Sequence, residues 1–440
     1  MSEAVELDGQ ITHLTQLLQT QLETVANQQS DDKPGLYWGQ FVVAGGVANS
    51  QVGVYGSSCA AVILNLNRDD DVSRAAVRNL ENYTNAPGAE LELAHNIKLA
   101  IVCLALAPHV GAEASEAMKR QLAELLGRFS RNAGLWPAYS LPQKFQESRF
   151  VPRPSVVASA IIVIVLSEVE RRLSHQAHIE SRGAIRGILK SAADRLENAI
   201  DAKRTIEARY GGLIATAVIC IKGSNARAAA RKIFSEAAQK RDFADRRVFF
   251  YDCLREGGSP SRDYFILPAA TLLPLVADAS NASATQQALA LEVGRALLNE
   301  LDDNGVFKGG QDLPSTVEQG LVALSLASTA RAAMRTTIKV RLAQGWLYMT
   351  QPSPAGTPTK VVTTVVTILW AFVIVVVLGK YLPETLRSSA VVGWVASRIY
   401  WVSTEIPDPV AQFSLFVVAA WSPSRSAFMR LIRRKDRENL

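Results

Sequence analysis

The chain has 440 residues, 48% apolar and 20% charged, which supplies a sizeable core and excludes a disordered polymer. Its net charge of +6 is unevenly placed: residues 361–440 carry nine Lys/Arg against five Asp/Glu, leaving 38 against 36 for the first 360. The body therefore lacks the basic excess of a nucleic-acid binder, and no nucleic-acid partner is expected. Cys59, Cys103, Cys220 and Cys253 stand far apart with no CxxC pair, which removes support for zinc fingers, dithiol redox motifs and a disulfide-stapled secreted scaffold.

Residues 1–29 begin without the apolar core of a signal peptide. Leu7, Ile11, Leu14, Leu17, Leu18, Leu22 and Val25 recur at spacings of three and four, predicting one amphipathic helix. Such a helix docks on its own domain or, in the sharper reading, forms a coiled coil with a partner. From 30 to 348, Ala-, Leu- and Arg-rich segments predict helices over 70–82, 91–107, 112–129, 156–173, 179–200, 213–221, 225–242, 285–301 and 316–333. Turn clusters such as Asn85-Ala86-Pro87-Gly88 and Gly257-Gly258-Ser259-Pro260 separate them, and no run of alternation predicts strands. Val156–Leu166 is β-branched enough for a strand. It runs directly into Ser167-Glu168-Val169-Glu170-Arg171-Arg172, so it reads as the start of a helix buried on all sides.

Residues 349–360 contain three prolines and a glycine and predict a stiff, extended linker. Val361–Gly379 follows, 19 residues without a charge, bracketed by Lys360 and Lys380. As a helix it spans about 28 Å, near the thickness of a bilayer's hydrocarbon core, and a transmembrane helix is expected. Residues 380–440 read as membrane-associated: Ala390–Val402, with Trp394, Tyr400 and Trp401, suits an interfacial helix. Val410–Trp421 is short for a span. The tail Arg430-Leu431-Ile432-Arg433-Arg434-Lys435-Asp436-Arg437 suits anionic head groups. The large domain is expected on the cytoplasmic side, with the basic C-terminus beside it if the chain crosses twice. A single span with an external tail is the alternative.

A weak repeat runs through the body. Gly35-Leu36-Tyr37-Trp38 precedes Ser57-Ser58-Cys59-Ala60-Ala61, Gly134-Leu135-Trp136-Pro137 precedes Ser155-Val156-Val157-Ala158-Ser159, and Gly305-Val306-Phe307 precedes Ser315-Thr316-Val317-Glu318-Gln319-Gly320. Each unit is a glycine, an apolar residue and an aromatic, then a loop, then Ser/Thr opening a small-residue helix. The aromatic is expected to anchor a loop and the Ser/Thr to cap the helix. Trp38 and Trp136 are 98 residues apart, which suits two helical hairpins; Phe307 lies 171 further on and requires an insertion. The pattern resembles the α/α-toroid of squalene–hopene cyclases and protein prenyltransferase β subunits. Asp302-Asp303-Asn304-Gly305-Val306-Phe307 and the helix after it are the clearest match. The resemblance covers about 30–345 and implies an all-α fold of helical hairpins in two concentric rings.

The catalytic motifs of those families are missing. A class II cyclase uses Asp-x-Asp-Asp; here Glu300-Leu301-Asp302-Asp303 has Glu in the first place, and Asp69-Asp70-Asp71 opens a predicted helix, where carboxylates favour the dipole. A prenyltransferase holds zinc with Asp, Cys and His, and this chain has no Asp-x-Cys before a downstream His. The thioester run of complement-like toroids is reduced to Glu318-Gln319 without its cysteine. His175 and His178 share a helix face but have no third ligand. Asp302 and Asp303 are the candidate catalytic acids, for cyclase or paired-carboxylate glycan chemistry; no metal or cofactor is assigned. The expected function is a membrane-anchored binding or sensor module for an unknown protein or small-molecule ligand. An enzyme acting on a prenyl lipid or glycan and a membrane-perturbing effector are the alternatives.

Overall fold

A computed structural model describes residues 2–26, 38, 54–66, 71–86, 89–107, 114–140, 154–173, 179–201, 208–244, 248–254, 260–266, 269–307, 316–335 and 337–350. The expected transmembrane helix 361–379, the segments at 380–440, His175 and His178 lie outside these residues. Among the described residues no helix is long and apolar enough to cross a membrane. The chain divides into two units, Met1–Gln344 and Gly345–Leu440, and every element below except the end of the last helix lies within the first.

In chain order the elements are α1 (Ser2–Ala26), α2 (Val54–Leu64), α3 (Asp71–Thr84), a single turn α4 (Ala89–Glu92), α5 (Asn96–Leu106), α6 (Glu116–Gly127), α7 (Val156–Arg172), α8 (Ile179–Asp201), α9 (Ala208–Lys222), α10 (Ala228–Lys240), strands β1 (Val248–Leu254) and β2 (Pro260–Ile266), a 3-10 helix Ala269–Asp278, α11 (Ala284–Leu298), α12 (Thr316–Met334) and α13 (Ile338–Thr350). α13 takes in Met349 and Thr350, the first two residues of the expected linker.

Two kinds of helix alternate. In α5 every residue is buried, and in α7 the run Ala158–Leu166 is; helices apolar all round belong inside. α3 buries only Ser73, Ala76 and Leu80, and α10 only Ala230, Phe234 and Ala238, the one-sided pattern of a covering helix. The inner elements form a closed circuit: α2 packs on α5, α5 on α7, α7 on α9, α9 on the 3-10 helix, the 3-10 helix on α12, and α12 back on α2. Outer helices cover the joints. α1 touches α12 and α2, α3 touches α2 and α5, α8 touches α7 and α9, α10 touches α9 and the 3-10 helix, and α11 touches the 3-10 helix and α12, while α6 lies on α5. This mainly helical arrangement is compatible with an α/α-toroid.

The N-terminal stripe docks on its own domain, with Leu7, Ile11, Leu18 and Leu22 buried. Gln19 lies on the same helix and donates from Nε2 to the carbonyls of Ile63 (2.9 Å) and Leu66 (3.1 Å), satisfying the C-terminal end of α2. The unforeseen element is the antiparallel pair β1–β2, in register from Val248↔Ile266 to Leu254↔Pro260. Its strands, Val-Phe-Phe-Tyr-Asp-Cys-Leu and Pro-Ser-Arg-Asp-Tyr-Phe-Ile, lack the clean alternation that marks a strand; of the expected turn cluster, Pro260 opens β2 and Gly257-Gly258-Ser259 lie outside the described residues.

Candidate functional site

The turn carrying Asp302 and Asp303 follows α11. The Asp302 amide donates to the Val306 carbonyl (3.0 Å) and the Gly305 amide to the Asp302 carbonyl (2.9 Å). The Asp302 carboxylate Oδ1 accepts from the amides of Asn304 and Val306, each at 3.0 Å. Asp302 is half-buried and Asp303 exposed, so the two neighbours in sequence differ: one carboxylate holds a backbone turn, the other faces solvent. Gly305 adopts φ 73°, and a Cβ there would stand 2.3 Å from the Leu14 carbonyl oxygen of α1. Glycine is needed on both counts. Beside the turn, Leu14, Thr15, Leu18, Leu301, Gln319 and Val322 help to line a space of about 10 Å³, room for one water. At the other acidic run, Asp71 begins α3 and pairs with Arg74 at 3.0 Å on the surface.

The aromatic that ends the turn is clamped. Phe307 is fully buried, its amide donates to Gln319 Oε1 (2.9 Å), and Gln319 Nε2 donates back to its carbonyl (2.7 Å). The other two units use the same device. The Trp136 amide donates to Ser159 Oγ (2.9 Å), which donates to the Trp136 carbonyl (3.2 Å); Ser57 Oγ donates to the Trp38 carbonyl at 3.5 Å. Ser57, Ser159 and Gln319 each occupy the fourth position of the inner helix that follows, α2, α7 and α12. The expected cap exists at α7, where Ser155 Oγ accepts from the Ala158 amide. At α2 it does not: the helix begins at Val54, and Ser57 serves as the clamp instead. The indoles are tied as well, Trp136 Nε1 to the Leu125 carbonyl at 2.8 Å and Trp38 Nε1 to the Leu22 carbonyl at 3.0 Å.

A second constellation had no signal in local spacing. Near the C-terminal end of α7, Glu168 accepts from Arg171 Nε (2.8 Å) and Arg172 Nε (3.3 Å), and Arg331 Nη2 of α12 lies 3.6 Å from its Oε1. Asp278, the last residue of the 3-10 helix, accepts from Arg331 Nε (2.7 Å) and Arg335 Nη1 (3.5 Å), with Arg171 Nε at 3.8 Å. Four guanidiniums thus surround two carboxylates, and the network ties α7 to α12, which are not neighbours in the circuit. Burial works hardest against the Glu168 charge, but the hydrogen bond and charge of Arg171, then Arg172 and Arg331, outweigh it and hold the carboxyl at about 2. Burial draws Arg172 down, with the charges of Arg171 and Arg331 adding to it.

The described thiols are poor nucleophiles. Burial raises Cys59 beyond the usual range and pushes Cys103 up to about 12. Burial and the Glu168 charge push Cys220 up to about 12, so all three stay protonated. Among the described residues no group of three His, Cys, Asp or Glu side chains is placed to hold a metal.

No protein-family description matches the sequence, and no curated protein matches it. Among solved structures a polysaccharide lyase superposes with a TM-score of 0.38 at 12% identity, covering 77% of this chain and 99% of the lyase. Likeness of that order carries neither fold nor chemistry from one chain to the other.

Proposed function

We propose that the chain is a membrane-tethered binding module: an α/α-toroid that captures a protein or small-molecule ligand beside a bilayer, with its large domain on the cytoplasmic side. The observation supporting binding over catalysis is the use made of the two candidate acids: the Asp302 carboxylate accepts from two backbone amides of its own turn, and Asp303 is exposed. Conversion of a substrate calls instead for a carboxylate poised in the site to give or take a proton. The uncharged run Val361–Gly379 is the proposed tether.

Two measurements test the reading on the full-length protein. Alkaline carbonate should leave it in the membrane pellet and detergent should release it; release by carbonate would reject the tether. The purified protein is then incubated with oligosaccharide and prenyl diphosphate panels, and both melting and product formation are followed. A saturable rise in melting temperature without conversion is the expected outcome. Turnover abolished by Asp302→Asn or Asp303→Asn with an unchanged melt would overturn it and establish these two as catalytic.

A further inference from the structure

Four large apolar side chains are exposed among the described residues: Val5, Met334, Ile338 and Leu342, at 53, 57, 78 and 68%. Three of them fall at the end of α12 and the start of α13. Ile338 and Leu342 are one turn apart and share a face of α13, while Val340 is 3% exposed and fixes the opposite side against the protein. Lys339 and Arg341 are exposed beside them. An apolar pair flanked by cations on one outward surface is the composition of a helix that lies in a membrane interface.

The surrounding sequence says what covers this surface. Between Glu318 and Glu384 there is no Asp or Glu; Arg331 and Arg335 are taken up by Asp278, and Lys339, Arg341, Lys360 and Lys380 follow them. Such a one-signed stretch attracts anionic lipid. It opposes a second copy of the chain, because a two-fold contact through this face would set Lys339 and Arg341 against themselves. Residues 343–360 separate Leu342 from the uncharged run, enough chain for the patch to reach the surface of a bilayer spanned by that run.

We infer that Met334–Leu342 docks on an anionic bilayer surface, Ile338 and Leu342 entering the boundary between headgroups and acyl chains, Lys339 and Arg341 lying against anionic headgroups. The inference rests on the proposed membrane tether and adds which face of the helical domain meets the lipid. Each cation near such a surface strengthens association about five-fold, so Lys339 and Arg341 together supply roughly 25-fold.

The test uses the full chain carrying Leu342→Cys, Cys220→Ser and Cys253→Ser, labelled with an environment-sensitive fluorophore; the buried thiols of Cys59 and Cys103 stay unlabelled, which the Cys220→Ser/Cys253→Ser protein alone verifies. It is reconstituted into phosphatidylcholine vesicles with and without phosphatidylserine, each also prepared with spin-labelled lipid as quencher. Blue-shifted emission quenched by the lipid in phosphatidylserine vesicles is expected. It should be weakened by high salt and by Lys339→Gln/Arg341→Gln, and lost with Ile338→Glu. A protein that floats with the vesicles while its probe stays in water overturns the docking and leaves the tether standing. Failure to float overturns the tether and the docking with it. Blue-shifted emission that the spin-labelled lipid does not quench, the same with and without phosphatidylserine, means that the chain or a second copy covers the patch, which also overturns the inference.

Discussion

Phe307 is gripped at both backbone polar groups by one side chain, and this sets the order in which residues around the Asp302 turn should matter. Removing its ring opens a core cavity, so Phe307→Ala should cost about 3–5 kcal/mol. Gln319→Leu keeps the volume and strands the buried amide and carbonyl of Phe307, costing about 2–4 kcal/mol. Asp302→Ala releases two backbone amides near the surface, for about 1–2 kcal/mol. Asp303→Asn changes an exposed group and should stay within about 0.5 kcal/mol. Denaturant titration of the four variants in detergent checks the order, and Asp303→Asn ranking above Phe307→Ala would mean that the turn is held by something other than the clamp. The anchoring role of Trp38, Trp136 and Phe307 was legible in sequence because a glycine, an apolar residue and an aromatic recur in that order. The clamp was not, since Ser159 and Gln319 form it only once the following helix has turned its fourth residue back onto the loop.

Among the elements, α7 was the clearest in sequence: its cap, apolar run and charged end are contiguous. The ionic network it joins was hidden because Asp278 and Arg331 come from distant elements that only the closed circuit brings to Glu168. Glu168→Gln leaves four guanidiniums around a single carboxylate and should cost about 3–5 kcal/mol at neutral pH. The pH dependence has a definite sign. Glu168 is depressed to about 2 in the folded protein from an ordinary 4.5. Its contribution, of order 3 kcal/mol, is therefore complete above about pH 4.5 and fades as pH falls toward 2. Urea titrations across that window should show the wild-type and Glu168→Gln stabilities converging at the acid end; a constant gap would place the effect of the substitution outside this carboxylate's charge. The α2–α12 contact that closes the circuit depends on Gly320, where a Cβ would stand 2.8 Å from Cys59 Cβ. Neither atom sits at the end of a flexible chain, so Gly320→Ala should cost about 1–3 kcal/mol by overpacking, read as a lowered melting temperature with the helical content unchanged.

At the scale of the whole molecule, the spacing that puzzled the repeat has a structural account. Trp38 and Trp136 precede α2 and α7, two steps of the circuit for 98 residues, whereas Trp136 and Phe307 precede α7 and α12, three steps for 171. The β1–β2 pair falls within the longer interval. The units led by α5, α9 and the 3-10 helix carry no glycine–aromatic signature, so only half of the circuit was legible. What joins its ends is the contact of α12 with both α2 and α1, all within the first 334 residues. Residues 1–350 expressed alone should therefore be soluble and mostly helical, with a single cooperative melt by circular dichroism. Removing residues 2–26 from the same piece should do the opposite. It takes Gln19 from the carbonyls at the end of α2, takes the Leu22 carbonyl from Trp38 Nε1, and uncovers the buried faces of α2 and α12. The expected product aggregates on size exclusion or melts without cooperativity. If 1–350 itself aggregates despite good expression, the apolar segments beyond it are part of the fold, and the closed circuit is not enough to hold the domain together.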